Sequence, residues 1–242
     1  MKYLFCILAI CIITAAHNVS AQENSTIKII CYDGKAAIFP SSWLDKKTKA
    51  KATEADTAKF RLDKAMLDVA FGYYTKNFIE KEVEHIYVVG RLSFNGQHFT
   101  GTNSRKDIYI ASTDNNEIEK TFHHEFSSIL LRNHADYSFE MKWRELSPEL
   151  RSGNSAAAVK SGLFEAGFDS VLCAKGYLCR YSLSNWENDF NMYAENIFAG
   201  GKAFWKIVDR YPKVQAKVKL IVDFYTKLWG GYNEVFFRVR ED

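Results

Sequence analysis

Residues 121–130 read Thr-Phe-His-His-Glu-Phe-Ser-Ser-Ile-Leu, and several of these side chains could do chemistry together. A hydrolytic zinc site needs three protein ligands and one open position for water. A helix supplies two ligands four residues apart, because those positions are neighbours on one face. A glutamate directly after the first histidine can act on the metal-bound water as general base, which is the logic of the H-E-x-x-H pattern. His124 and Glu125 fill the first two places of that pattern. Its last place holds Ser128, a neutral hydroxyl and a poor zinc ligand beside imidazole, carboxylate or thiolate.

On a helical wheel, Ile118, Phe122, Phe126, Ile129 and Leu130 form one apolar stripe. Thr121, His124 and Ser128 share another face, and Glu125 sits at the edge between the two. His123 points elsewhere, nearer Ser127, so it lacks a partner histidine as well. His134 stands ten residues after His124, a spacing found in longer zinc motifs. Those motifs turn on a glycine where this chain has Leu131, so His134 reads as a residue near the helix end. Taken alone, a His-Glu pair without its second histidine is equally an ordinary helix feature.

Residues 187–198, Glu-Asn-Asp-Phe-Asn-Met-Tyr-Ala-Glu-Asn-Ile-Phe, add a second signal. They resemble the second motif of gluzincin-type zinc-binding metallopeptidases, the anthrax-lethal-factor-like and secreted zincin group. In that group an acidic-aromatic stretch leads into an aromatic-Ala-Glu on a helix. The resemblance runs from about Ile86 to Leu228. It implies zinc as cofactor, His124 as first ligand, Glu125 as catalytic general base, and Glu195 as third ligand. Ser128 departs from the pattern. Its missing contribution would have to come from His134, His123, another carboxylate or a water. On the wheel, Glu195 shares a face with Asn188 and Asn191, opposite Trp186, Phe190, Tyr193 and Ile197. That face suits a cleft or solvent.

The elements that would position these residues follow from periodicity. Thr26 to Tyr32 alternates as a strand, and Ala58 to Phe78 reads as one amphipathic helix. His85 to Leu92 and Lys106 to Ala111 read as strands, with an Asn95-Gly96 turn between them. The second of these is expected near the cleft rim, where an extended peptide could add to the sheet. Ser112, Thr113 and Asp114 offer helix caps ahead of the histidine pair. Short helices are expected within Met141 to Leu150 and Ser155 to Ser161, and loop from Gly162 to Ser182. Helices follow over Asn185 to Phe198, Lys202 to Arg210, and from Pro212 to the region of Leu228.

The chain has 242 residues and a formal charge of +3, a balance that points to neither nucleic acid nor an acidic surface. Residues 1–21 carry Lys2, an apolar run and a Val-Ser-Ala end, the pattern of a secretory signal. Export to the periplasm or the extracellular space is therefore expected, with no membrane span once the signal is removed. Three cysteines then remain, and Cys173 and Cys179 are spaced for a loop-closing bridge in an exported chain, with three buried free thiols as the alternative. The fold expected for residues 22–242 is a single α+β zincin-like metallopeptidase domain, a small mixed sheet plus a helical C-terminal half. Two functions are open: a secreted zinc peptidase acting on a peptide or protein substrate, or a pseudoenzyme of the same fold that binds a peptide or protein ligand.

Overall fold

The structure of the protein is a computed structural model and describes residues 27–113, 117–150 and 165–239. The expectations for residues 1–21, for a helix over 155–161 and for Asp114 lie outside them. The central sheet has strands β1 (Lys28–Cys31), β3 (His85–Val89), β7 (Asp107–Ala111) and β6 (Gly101–Asn103), in the order β1-β3-β7-β6. The first three are parallel, and β6 runs antiparallel to β7. A smaller antiparallel sheet joins β2 (Lys51–Ala52), β4 (Leu92–Phe94) and β5 (Gln97–Phe99). Its hairpin turns on Asn95 and Gly96, both at positive φ (49° and 81°). A tight two-residue hairpin demands that backbone of its central residues.

Strand alternation divides the sheet between two cores. Ile86, Val88, Ile108 and Ile110 enter the main core with the helices. Val89, Tyr109 and Ala111 enter a second cluster with Tyr32, Ile38 and Leu92. Trp43, Phe94 and Phe99 pack onto that second cluster while lining a cleft on their other side.

The helical frame is α1 (Thr57–Phe71), α2 (Lys76–Glu82), α3 (Ile118–His134), α4 (Tyr137–Glu145), α5 (Ser170–Cys173), α6 (Trp186–Ala199), α7 (Gly201–Arg210), α8 (Pro212–Leu228) and α9 (Glu234–Arg238). The long helix expected over Ala58 to Phe78 is broken at Gly72, and α2 starts anew after Thr75. The break lets Tyr74 turn inward, where it is buried. The histidine helix α3 begins at Ile118. Its N-cap is Glu117 with no capping side-chain bond, so Ser112 and Thr113 do not cap it. Helix α4 starts earlier than expected because Asp136 accepts the Phe139 N–H at 2.8 Å. Pro212 opens α8 at a first-turn position, where its missing N–H costs nothing. Among the described residues no helix is long and apolar enough to cross a membrane.

The expected Cys173–Cys179 bridge is not formed, and both residues are buried free thiols. The segment between them folds back as a turn, with the Tyr177 N–H on the Leu172 carbonyl. Each thiol takes its own partner at 3.7 Å, the Leu178 carbonyl for Cys173 and the Ser182 hydroxyl for Cys179. Burial pushes both thiols up to about 11, so neither is a ready thiolate.

Candidate functional site

Helices α3 and α6 pack antiparallel beneath β6, and the candidate residues meet along their contact. Helix α6 is set by Asn185, whose side chain accepts the Asn188 N–H at 2.8 Å, and by Glu187 and Asp189 in its first turn. Negative charge there suits the positive end of the helix dipole. The polar face of α6 is not solvated. Asn188 and Asn191 are buried, and Glu195 is only 12 % exposed at its side chain.

Two rungs cross from α3 to α6. His124 Nδ1 lies 2.9 Å from Glu195 Oε2. One turn further along α3, and one turn back along α6, Asn191 Nδ2 donates to Ser128 Oγ at 2.7 Å. Ser127 Oγ donates to Asn191 Oδ1 at 2.5 Å and lies 2.7 Å from the His124 carbonyl. Helical spacing on each side makes this ladder possible, since positions four apart share a face.

Glu125 points to the sheet side, where Asn103 Nδ2 on β6 donates to its Oε2 at 2.7 Å. Arg132 fixes Asn103 in turn, with its Nη2 at 2.6 Å from Asn103 Oδ1 and 2.8 Å from the Ser104 carbonyl. Gly101 lets β6 lie this close. A Cβ there would stand 2.6 Å from Thr121 Cγ2 and 2.9 Å from Glu125 Cγ and Oε1.

Burial and charge act on this group together. For His124, burial works against the imidazolium. The Glu195 hydrogen bond and charge, with Glu125 and Glu187, outweigh it and raise the histidine above its usual range. Glu125 is raised mainly by burial, with Glu187 and Glu195 adding to the rise and His124 and Asn103 opposing it. His124 thus holds its proton more readily than an exposed histidine, and Glu125 more readily than an exposed glutamate.

Cavities of about 490 and about 600 Å³ flank His124 and Glu125 on either side. Phe99, Gly101 and Tyr181 line both, so the two form one cleft along β6. Tyr181 faces this cleft. Tyr193 turns away and donates its buried hydroxyl to the Gly176 carbonyl at 2.9 Å.

His123 and His134 are not in the cleft. His123 is fully buried in an aromatic cluster, stacked on Phe198 with ring centroids 4.5 Å apart. Its Nδ1 lies 2.7 Å from the Tyr74 hydroxyl. His134 sits at the far end of α3, roughly 15 Å along the axis at 1.5 Å per residue, paired with Glu82 at 2.9 Å. Neither can complete a metal site at His124. Sequence reasoning did not single out Asn103, Arg132 or Gly101. Asn191 had been placed on the Glu195 face, without its role as partner to Ser128.

The donor set does not fit a tight zinc site. Beside His124 and Glu195, the remaining rung offers only a neutral hydroxyl and a neutral amide bonded together. Among the described residues no group of three or more His, Cys, Asp or Glu side chains could hold a metal ion.

No protein-family model matches the chain, and no curated protein sequence matches it. Among solved structures it is similar to a crystal structure described as a "putative zinc-binding metallo-peptidase" from Bacteroides caccae ATCC 43185. The TM-score is 0.57 at 11% identity, covering 90% of this chain and 86% of that one. The fold is accordingly an α+β zincin-like domain, as the sequence resemblance implied.

Proposed function

We propose that this protein uses a zincin-like cleft to bind an extended peptide or protein segment, without a tightly held metal. The observation that carries the reading is the Ser128–Asn191 rung, which puts two neutral, mutually bonded groups where a second strong ligand would be needed. Strand β7 is not the rim, because it lies inside the sheet. The rim is β6. The Ala111 N–H bonds to the Thr100 carbonyl, and the Ser104 N–H to the Asp107 carbonyl. In antiparallel pairing the backbone groups alternate in direction, so Gly101 and Asn103 turn theirs outward, over the cleft. An added peptide strand would pair with these groups. The aromatic side chains of Trp43, Phe94 and Phe99 border the same groove. Export, with residues 1–21 removed, belongs to the same proposal.

A second reading is a zinc-dependent peptide hydrolase with Glu125 as general base. The retained His124, Glu125 and Glu195 favour it, as does the likeness of fold. Metal analysis of the purified mature protein, calorimetric titration with zinc chloride, and peptide binding with and without EDTA separate the two. The expected results are no stoichiometric zinc, no tight zinc isotherm, and peptide binding that EDTA leaves unchanged. Binding should weaken about tenfold, about 1.4 kcal/mol, when alternate peptide amides are N-methylated. One zinc retained per chain, or peptide cleavage abolished by EDTA, would replace this reading with the hydrolase.

A further inference from the structure

We infer that Ser128 and Asn191 act as a coupled pair closing the second-ligand place, so that a metal can be held beside His124 only when both are changed. The inference deepens the function proposed above and rests on its metal-free reading of the cleft. Both side chains are buried, Ser128 4% and Asn191 1% exposed. The Asn191 amide is used at both ends, its Nδ2 on Ser128 Oγ and its Oδ1 under Ser127 Oγ.

Restoring a histidine at position 128 alone therefore meets two obstacles. The imidazole must extend toward an amide nitrogen that stands 2.7 Å from the serine oxygen, and close-packed interiors resist added bulk. The Asn191 amide also loses the acceptor of a buried N–H, a costly loss. Removing Asn191 alone opens space but supplies no ligand. Changing both transfers bulk from α6 to α3. The new ring would then share a face with His124, one turn along α3 from the His124–Glu195 rung and over the space that Asn191 leaves. Two imidazoles, one carboxylate and a water would complete a tetrahedral set.

The test is a cycle of four proteins: the parent, Ser128→His, Asn191→Ala and the double variant. Each is titrated with zinc chloride by calorimetry and melted with and without zinc. The expected result is that both single variants stay within about threefold of the parent. The double variant should bind about 100-fold tighter or more, the scale of losses on changing even outer-shell groups at zinc sites. Zinc should raise the melting temperature of the double variant alone. If that variant does not fold, Ser128→His with Asn191→Gly repeats the comparison with more room. Two outcomes overturn the coupled pair: Ser128→His alone binding as tightly as the double variant, or a folded double variant no tighter than the parent. Failure of both double variants to fold would overturn it too, since the space freed at Asn191 is held to accept the ring. Tight zinc binding by the parent would instead refute the metal-free reading.

Discussion

Replacing Lys217 with methionine should unfold the protein far more readily, because it strands a carboxylate beneath the cleft. Lys217 Nζ donates to Asp189 Oδ2 and to the Gly176 carbonyl, both at 2.6 Å. Both side chains of the pair are fully buried. The ammonium also lies 4.4 Å from the Tyr177 ring centroid. Asp189 Oδ2 further accepts from Trp143 Nε1 at 2.9 Å and lies 3.2 Å from Ser147 Oγ. Burial disfavours the charge on each member, and their attraction and hydrogen bonds oppose it. The pair ties α4, α6 and α8 together at the N-terminal turn of α6, six residues before Glu195. Breaking a buried pair by removing one partner costs about 3–5 kcal/mol, while replacing both can be nearly neutral. For a domain of this size that is a fall of roughly 6–20 °C in melting temperature. Urea unfolding followed by circular dichroism measures it, with Asp189→Asn/Lys217→Met as the companion variant. That companion should recover most of the loss. A loss below about 1 kcal/mol for Lys217→Met, or a double variant no more stable than the single, would refute a charge-pairing origin of the stability.

Two further outcomes are expected. Gly101→Ala should cost about 1–3 kcal/mol by overpacking, because its methyl meets Thr121 and Glu125. Gly167→Ala, where a Cβ meets nothing within 4 Å, is the control, and an equal cost at both sites would contradict the close approach of β6 to α3. His123 is held neutral by burial, its imidazole lowered to about 3 from 6.5. The unfolded chain therefore binds more protons there, so the contribution of His123 is complete above pH 6.5 and is lost as pH falls toward 3. Denaturant midpoints across that range should fall less steeply for Tyr74→Phe/His123→Phe than for the parent. Parallel pH profiles would show that His123 already titrates freely.

The helices were legible where long apolar periodicity met a cap or a proline. Trp186–Ala199 and Pro212–Leu228 lie within a residue or so of their expected limits for that reason. The run from Ala58 to Phe78 misled because its apolar residues keep helical spacing across a break. Gly72 ends the first helix, and Tyr74 is buried by the turn that follows. Strand β6 was invisible, since Gly-Thr-Asn carries no apolar alternation and earns its place by pairing with β7. The bridge between Cys173 and Cys179 was an inference from proximity in sequence, and a local turn sends the two thiols to different partners.

The site shows where reading one helix at a time stops. The wheel placed His124 with Ser128, and Asn191 with Glu195, correctly on their own helices. It could not say that the two faces meet in opposite directions, and that relation decides the chemistry. Because α3 and α6 run antiparallel, His124 falls opposite Glu195 and Ser128 opposite Asn191. Considered on its own, Ser128 is a ligand lost from a motif. Set against Asn191 it is half of a satisfied hydrogen bond that joins the two helices. A buried serine hydroxyl facing an empty ligand place would be left unpaired, a costly state for a buried polar group. The asparagine removes that cost, which is why the two positions have to be altered together.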